Sequence, residues 1–369
     1  MIQRFLSRYL LLFLIGLSLL AFFWDIFFRA IPDPFLVSRE YLEYLFCLTM
    51  LAVGSLLPRD EITQIRRQWG MVFVGTALQY SAMPLLAYWI GRAFGFEGKM
   101  MVGVMIVGVV PGAMASNVLT LIARGHVSYS VSLTTTATLL SPLVVPALLY
   151  LGLRHWVPVP LGETAWTLTW TVVIPVIVGY CLSQSWPLWR RLAQHIAPIV
   201  AHLSILWIIA VVVAANRHRL ETMDGLLPLA LVTINLGGYA TGFLGALLLK
   251  LPNKMQRALT LEIGMQNAGL GAILASRLFG VESEAAMAPT IYAFACMFTG
   301  TVLARIWAEI PTATETVPNG PPAEAAQAIL SSAPPGVGAV SVLPSNPGDQ
   351  GPAFWESEQR PQSGLEPQS

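Results

Sequence analysis

Charge is what this chain has least of. Only 11% of its 369 residues are Asp, Glu, Lys or Arg, while 55% are hydrophobic. A soluble domain carries about 25% charged residues, so the shortage excludes an ordinary soluble globular protein and places the chain in the membrane class. The formal net charge of +1 excludes a nucleic-acid partner on bulk electrostatics. Cysteine is equally sparse. Cys47, Cys181 and Cys296 stand far apart in apolar surroundings, which excludes a disulfide framework or thiolate metal site and leaves buried free thiols. His126, His155, His195, His202 and His218 fall mostly near loop ends without carboxylate partners. They read as interfacial residues and not as the triad or ligand cluster of an enzyme. No catalytic activity is expected.

Long apolar runs are what the chain has in excess. Arg4 and Arg8 followed by 9–16 imitate a signal peptide, but the run continues through Phe27 and Phe28 without a small-x-small cleavage site, so it reads as a first transmembrane helix. Runs of about 20 residues, the length that spans a bilayer, recur at 9–29, 38–57, 69–91, 99–124, 127–151, 164–184, 195–215, 226–249, 254–279 and 285–308. The weakest is 164–184, where Pro175 interrupts and Trp166 and Trp170 suggest an interfacial start. Ten spans put both termini on one side, where twelve basic residues lie against eight on the other. The positive-inside rule then gives cytoplasmic termini in the cell (inner) membrane. From Pro311 onward the chain holds six acids, one base and much Pro, Ser, Gly, Ala and Gln. Residues 1–310 therefore read as the transmembrane domain and 311–369 as a disordered cytoplasmic tail.

Two spans carry polar residues at breaks. Pro111 and Gly112 should break the span 99–124, and Ser116 and Asn117 follow. Gly264 and Gly269 loosen the span 254–279 around Glu262, Gln266 and Asn267. An ionisable residue at midplane loses several kcal/mol of hydration unless it binds something. Asn117 and Asn267 stand 150 residues apart (117 and 267), and Gln79 and Asn235 stand 156 apart (79 and 235). Interrupted spans in corresponding positions of two five-helix halves point to a transporter site built from inverted repeats; ordinary kinks with Asn at helix interfaces are the plain alternative. Between the breaks, Ser130, Thr134 and Thr138 share one helix face. In company with Asn117 and Glu262, Ser130 and Thr134 are assigned to ligation and Thr138 to packing. The candidate ligands are Glu262, Ser116, Asn117, Ser130, Thr134, Gln79, Gln266 and the carbonyls of Ile263 and Met265. All supply oxygen, which suits a hard cation. One carboxylate among neutral oxygens favours Na⁺ or H⁺ over a divalent metal, and the half-helix N-termini favour an anionic substrate.

The stretches 111–117 and 262–270, with the hydroxyl-rich helix between them, resemble the bile acid:sodium symporter family, over nearly all of residues 1–308. The resemblance implies an all-α polytopic fold of ten transmembrane helices in two inverted five-helix repeats. A core domain would hold the crossing, broken fourth and ninth helices, and a panel domain would hold helices one, two, six and seven. It also implies two sodium sites. Ser116, Asn117, Ser130, Thr134 and Glu262 would form the first; Gln79, Glu262, Gln266 and the carbonyls of Ile263 and Met265 would form the second. Substrate would lie near Ala113, Met114, Ala115 and Asn267, with Cys296 and Met297 in the tenth span. Relatives can carry Gly and Thr at the positions of Ala113 and Met114, and His-Asn at those of Cys296 and Met297. The substrate-facing positions are thus larger or less polar here. Sodium-coupled symport of an organic anion, bile-acid-like or a small carboxylate, is the expected function. Proton coupling at a lone buried carboxylate and a non-transporting membrane sensor are the other readings.

Overall fold

The computed structural model describes residues 9–153 and 158–310. All belong to the first of two compact units, Met1–Ala313; the second, Thr314–Ser369, holds the expected tail and lies outside the described residues, as do Arg4, Arg8 and His155. The main helices are α1 (Leu10–Phe27), α2 (Leu42–Ser55), α3 (Trp69–Ala93), α4 (Gly98–Val109), α5 (Ala115–Ile122), α6 (Val127–Leu153) and α7 (Leu161–Leu168). They continue as α8 (Ile174–Ser185), α9 (Pro187–Ala215), α10 (Leu226–Leu248), α11 (Asn253–Gly264), α12 (Ala268–Phe279) and α13 (Glu284–Glu309). Among the described residues seven helical stretches, counting α7 through α8 as one, are long and apolar enough to cross a membrane. Helices suit that medium because every backbone donor and acceptor is satisfied within the segment. Among the described residues the sole extended pairing is an isolated antiparallel bridge between Gly112 and Gln266.

Three spans begin or bend differently from the sequence expectation: the one expected at 195–215 starts eight residues earlier, at Pro187, and two others differ as follows. The helical stretch expected from 38 starts at Pro34, because Asp33 caps it by accepting from the Phe35 and Leu36 N–H groups and a proline suits the first helical position. A tight turn at Ser38–Tyr41 then leads into α2. In the weak span 164–184 the chain widens into a π turn at Thr169–Val173, ahead of Pro175. Pro175 has no N–H for the carbonyl four residues back and its ring would strike it; a one-residue widening removes the clash without ending the helix. Earlier in the chain, Pro142 in α6 leaves the Thr138 carbonyl without its helical donor, and Ser141 Oγ supplies one at 2.7 Å.

Close packing locates the framework. A Cβ on Gly54 would strike the Val176 carbonyl and one on Gly179 the Leu51 carbonyl, so α2 and α8 meet backbone to backbone, as small residues permit between membrane helices. Trp24, Phe35 and Trp207 form a run of ring contacts joining α1, the Pro34 turn and α9. Arg217, at the end of α9, pairs with Asp25 and Asp33 and donates to the Ala21 carbonyl. Arg257 differs from the sequence expectation. Instead of serving as a loop charge it is buried, with guanidinium bonds to the carbonyls of Ala123, Trp307 and Ile310. These carbonyls end α5 and α13, and a cation suits the negative end of a helix.

Candidate functional site

Both expected breaks occur, and they meet. The helix stops at Val109 and resumes at Ala115; it stops again at Gly264 and resumes at Ala268. Breaking a helix frees backbone groups that must be paired in a buried setting. Here the two breaks pair with each other: Ala113 N–H donates to the Met265 carbonyl at 2.7 Å, and Asn267 N–H to the Pro111 carbonyl at 2.8 Å. The approach requires glycine at 112, since a Cβ there would overlap the Glu262 carboxyl group.

Glu262 is fully buried at the end of α11. Ser116 Oγ donates to its Oε2 at 2.5 Å and Ser130 Oγ to the same oxygen at 3.5 Å, while Thr134 Oγ1 donates to Oε1 at 2.7 Å. Asn117 Oδ1 lies 3.4 Å from Thr134 Oγ1, and Thr120 Oγ1 lies 3.3 Å from Ser130 Oγ. Five of the expected residues, Glu262, Ser116, Asn117, Ser130 and Thr134, are therefore within one hydrogen-bonded cluster drawn from α5, α6 and α11. No ion pair reaches Glu262 among the described residues. A buried carboxylate without a counter-charge is expensive, and a small cation or a proton among these oxygens would offset that cost.

The second expected set is placed differently. Gln79 is buried on α3 with neither amide atom hydrogen-bonded, and Gln266 Oε1 is likewise buried without a partner. Each unsatisfied group costs about 1–3 kcal/mol, a cost that a bound cation would offset at the two amide oxygens. Neither Gln is bonded to the Glu262 cluster. The Ile263 carbonyl accepts from Gln266 Nε2 at 2.9 Å, and the Met265 carbonyl is the one held by Ala113, which leaves each a single lone pair for a ligand.

Of the expected substrate-facing residues, Ala113, Met114 and Ala115 are half-buried at the first break. Asn267 caps α12, its Oδ1 accepting from Leu270 N–H at 3.0 Å. Cys296 is buried, with its thiol on the Ala293 carbonyl at 3.5 Å, and Met297 packs between two apolar clusters. A narrow cavity of about 20 Å³ lies between Met114, Asn117, Thr134, Thr135 and Thr138 on one side and Val53, Leu57 and Val176 on the other. Thr138, assigned to packing, lines it.

The most substantial group missed by sequence reasoning sits behind the second break. Asn235 Nδ2 and Tyr292 Oη each donate to the Gly264 carbonyl at 2.7 Å, and Thr299 Oγ1 donates to Asn235 Oδ1 at 2.6 Å. Tyr239 Oη adds a contact to Thr299 at 3.3 Å. Asn235 carries a signal in the sequence through its spacing from Gln79, whereas Tyr292 and Thr299 carry none.

An all-helical, multi-pass membrane protein with two broken helices joined at a buried carboxylate is the class these features define. A family model for the Sodium Bile acid symporter family matches residues 44–222. The chain is 35% identical over 293 residues to the "Uncharacterized sodium-dependent transporter YocS" of Bacillus subtilis, covering 78% of this chain and 90% of that one. It is 30% identical over 281 residues to the ileal sodium/bile acid cotransporter of Oryctolagus cuniculus, covering 73% and 80%. It is also 29% identical over 262 residues to the chloroplastic probable sodium/metabolite cotransporter BASS1 of Arabidopsis thaliana, covering 70% of this chain and 65% of that one. The chain belongs to the sodium bile acid symporter family.

Proposed function

We propose that the chain is a secondary active transporter that couples Na⁺ entry to uptake of an organic anion by alternating access. One observation carries the reading: Glu262, fully buried and in no ion pair among the described residues, is ringed by the hydroxyls of Ser116, Ser130 and Thr134 where the two helix breaks meet. Relatives named as sodium-dependent transporters and sodium/bile acid cotransporters support sodium as the coupling ion. In this reading Ser116, Asn117, Ser130, Thr134 and Glu262 hold one Na⁺. Gln79, Gln266, Glu262 and the carbonyls of Ile263 and Met265 hold a second, supported by the unpartnered Gln79 and Gln266 oxygens.

Ten spans follow if α4 with α5, and α11 with α12, each count as one crossing and the Pro34 turn belongs with α2. Two inverted five-helix halves then place the breaks in the fourth and ninth. Cytoplasmic termini agree with eleven basic residues against eight once buried Arg257 is set aside. The substrate anion would lie between the first break and α2 and α8, near Ala113, Met114, Ala115 and Asn267. The cavity of about 20 Å³ there has room for about one water. An organic anion therefore needs Val53 and Val176 to move away from Met114 and Asn117, which is the motion of a panel against a core. The apolar Met114 favours an anion with an apolar body.

The test is ²²Na⁺ binding to purified protein and counterflow in proteoliposomes. Glu262→Ala is expected to weaken Na⁺ binding by more than about a hundredfold, since stripping the partner from a buried charge costs about 3–5 kcal/mol. Undiminished binding in that variant removes the assignment. Uptake driven by a pH gradient in sodium-free medium replaces Na⁺ with H⁺.

A further inference from the structure

Away from the breaks, two cavities lie side by side against the same helices. The first, about 210 Å³, is lined by Ser55, Pro58, Arg59, Ser183, Gln184, Arg190 and Gln194, together with Leu56 and Leu57. The second, about 100 Å³, is an apolar groove between α2 and α9 lined by Leu48, Leu51, Ala52, Leu192, Ala193 and Ile196, among others. Ser55 borders both, and Trp189 stands at the seam with its indole N–H donating to Ser55 Oγ at 3.1 Å.

The chemistry of the first cavity is one-sided. Arg59 and Arg190 supply two guanidinium groups, no Asp or Glu lines the cavity, and neither arginine side chain forms an ion pair among the described residues. Gln184 Nε2 is a buried donor without a partner. α9 starts at Pro187 without a side-chain cap, and its Arg190 N–H is taken by the Trp186 carbonyl, so its first turn adds only the partial positive charge of a helix N-terminus beside the cavity. Such a set of donors calls for an anion. The neighbouring groove gives the anion its body. Leu48, Leu192 and Ile196 in its wall are 47%, 50% and 45% exposed, and a groove walled by exposed apolar side chains opens sideways toward acyl chains. Trp at such a seam is the side chain favoured where one end is apolar and the other wet.

We propose that this pair of cavities binds an anionic glycerophospholipid, its phosphate between Arg59 and Arg190 and one acyl chain in the groove between α2 and α9. The site is built on α2, α8 and α9, and α2 and α8 carry Val53 and Val176, the residues that the proposed transport cycle moves away from Met114 and Asn117. Bound lipid would therefore bear on the part of the molecule that moves.

The experiment is native mass spectrometry of the full chain in detergent, titrated with phosphatidylglycerol or phosphatidylcholine of the same acyl chains. Phosphatidylglycerol is expected to be retained to higher activation energy than phosphatidylcholine in the unaltered protein. The double substitution Arg59→Gln with Arg190→Gln should lower its retention on the order of tenfold or more, with two basic contacts to an anionic lipid lost. Ala193→Leu, which fills the groove, should weaken it as well, with helical content by circular dichroism as the control for folding. Equal retention of the two lipids by the unaltered protein overturns the proposal without recourse to any variant. So does displacement of phosphatidylglycerol by equimolar glycerol 1-phosphate, which has no acyl chain and would mark a site for soluble anions.

Discussion

The two breaks look alike in the chain but are supported in different ways. The second is held from behind: Asn235 and Tyr292 both donate to the Gly264 carbonyl, Thr299 fixes Asn235, and Asn267 caps the helix that follows. The first break has no side chain bonded to the backbone of 107–114 among the described residues. It is held through the second break, by the Ala113 and Asn267 backbone bonds, and through Ser116, whose hydroxyl rests on Glu262. The second break is a braced ledge and the first leans on it. A bound cation, by fixing the Glu262 carboxylate, would fix Ser116 and so the first break, which borders the proposed substrate position. On the proposed function, the asymmetry would give ion binding a physical route to substrate binding.

The contact between the two breaks is the most sensitive point. Gly112→Ala puts a methyl group where the Glu262 carboxyl lies. Overpacking costs about 1–3 kcal/mol, and Na⁺ affinity should fall by about tenfold or more in an isotope-binding assay. Close behind comes Thr134→Val, which removes a hydroxyl bonded to the carboxylate, worth about 1.5–3 kcal/mol for a charged acceptor. Its counterpart Thr138→Val, on the same face but outside the cluster, should change affinity by less than about 0.5 kcal/mol; equal effects would dissolve the distinction between ligating and packing hydroxyls.

Bracing is tested separately. Asn235→Ala should lower thermal stability by about 1–3 kcal/mol, read as a shift in melting temperature, while moving Na⁺ affinity less than Gly112→Ala does. A larger loss of affinity than of stability would mean that the ledge itself carries the ion. The smallest effect is expected at Glu61, a buried carboxyl outside the spans, bonded to Ser132 Oγ at 2.9 Å. Burial pushes its pKa up from the usual carboxylate value, the Ser132 bond opposes this and Asp60 adds to it. Between the usual and the raised value the folded state holds more protons than the unfolded, so stability falls as pH rises through that window. Glu61→Gln should flatten that fall in melting temperature and leave Na⁺ affinity unchanged, in contrast to any change at Glu262.

Much of this architecture follows from the chain itself. Scarce charge and runs of about 20 apolar residues demand membrane helices, Pro111-Gly112 must interrupt one, and a Glu beside Gly264 in another needs a partner. Those are local consequences of backbone chemistry and hydration, readable wherever the residues stand. Other features depend on residues distant in sequence meeting in space. That the breaks pair with each other, that Gly112 is required by Glu262 and that Asn235 and Tyr292 hold Gly264 are contacts across 28 residues or more. The same holds for Arg257, which as a sequence letter is one more loop charge but in the fold ends two helices. The sequence alone determined that a carboxylate would be buried among oxygens in a broken membrane helix. Which oxygens reach it is set by the folded arrangement of distant segments, because hydrogen bonding is directional and short-ranged while hydrophobic burial is neither.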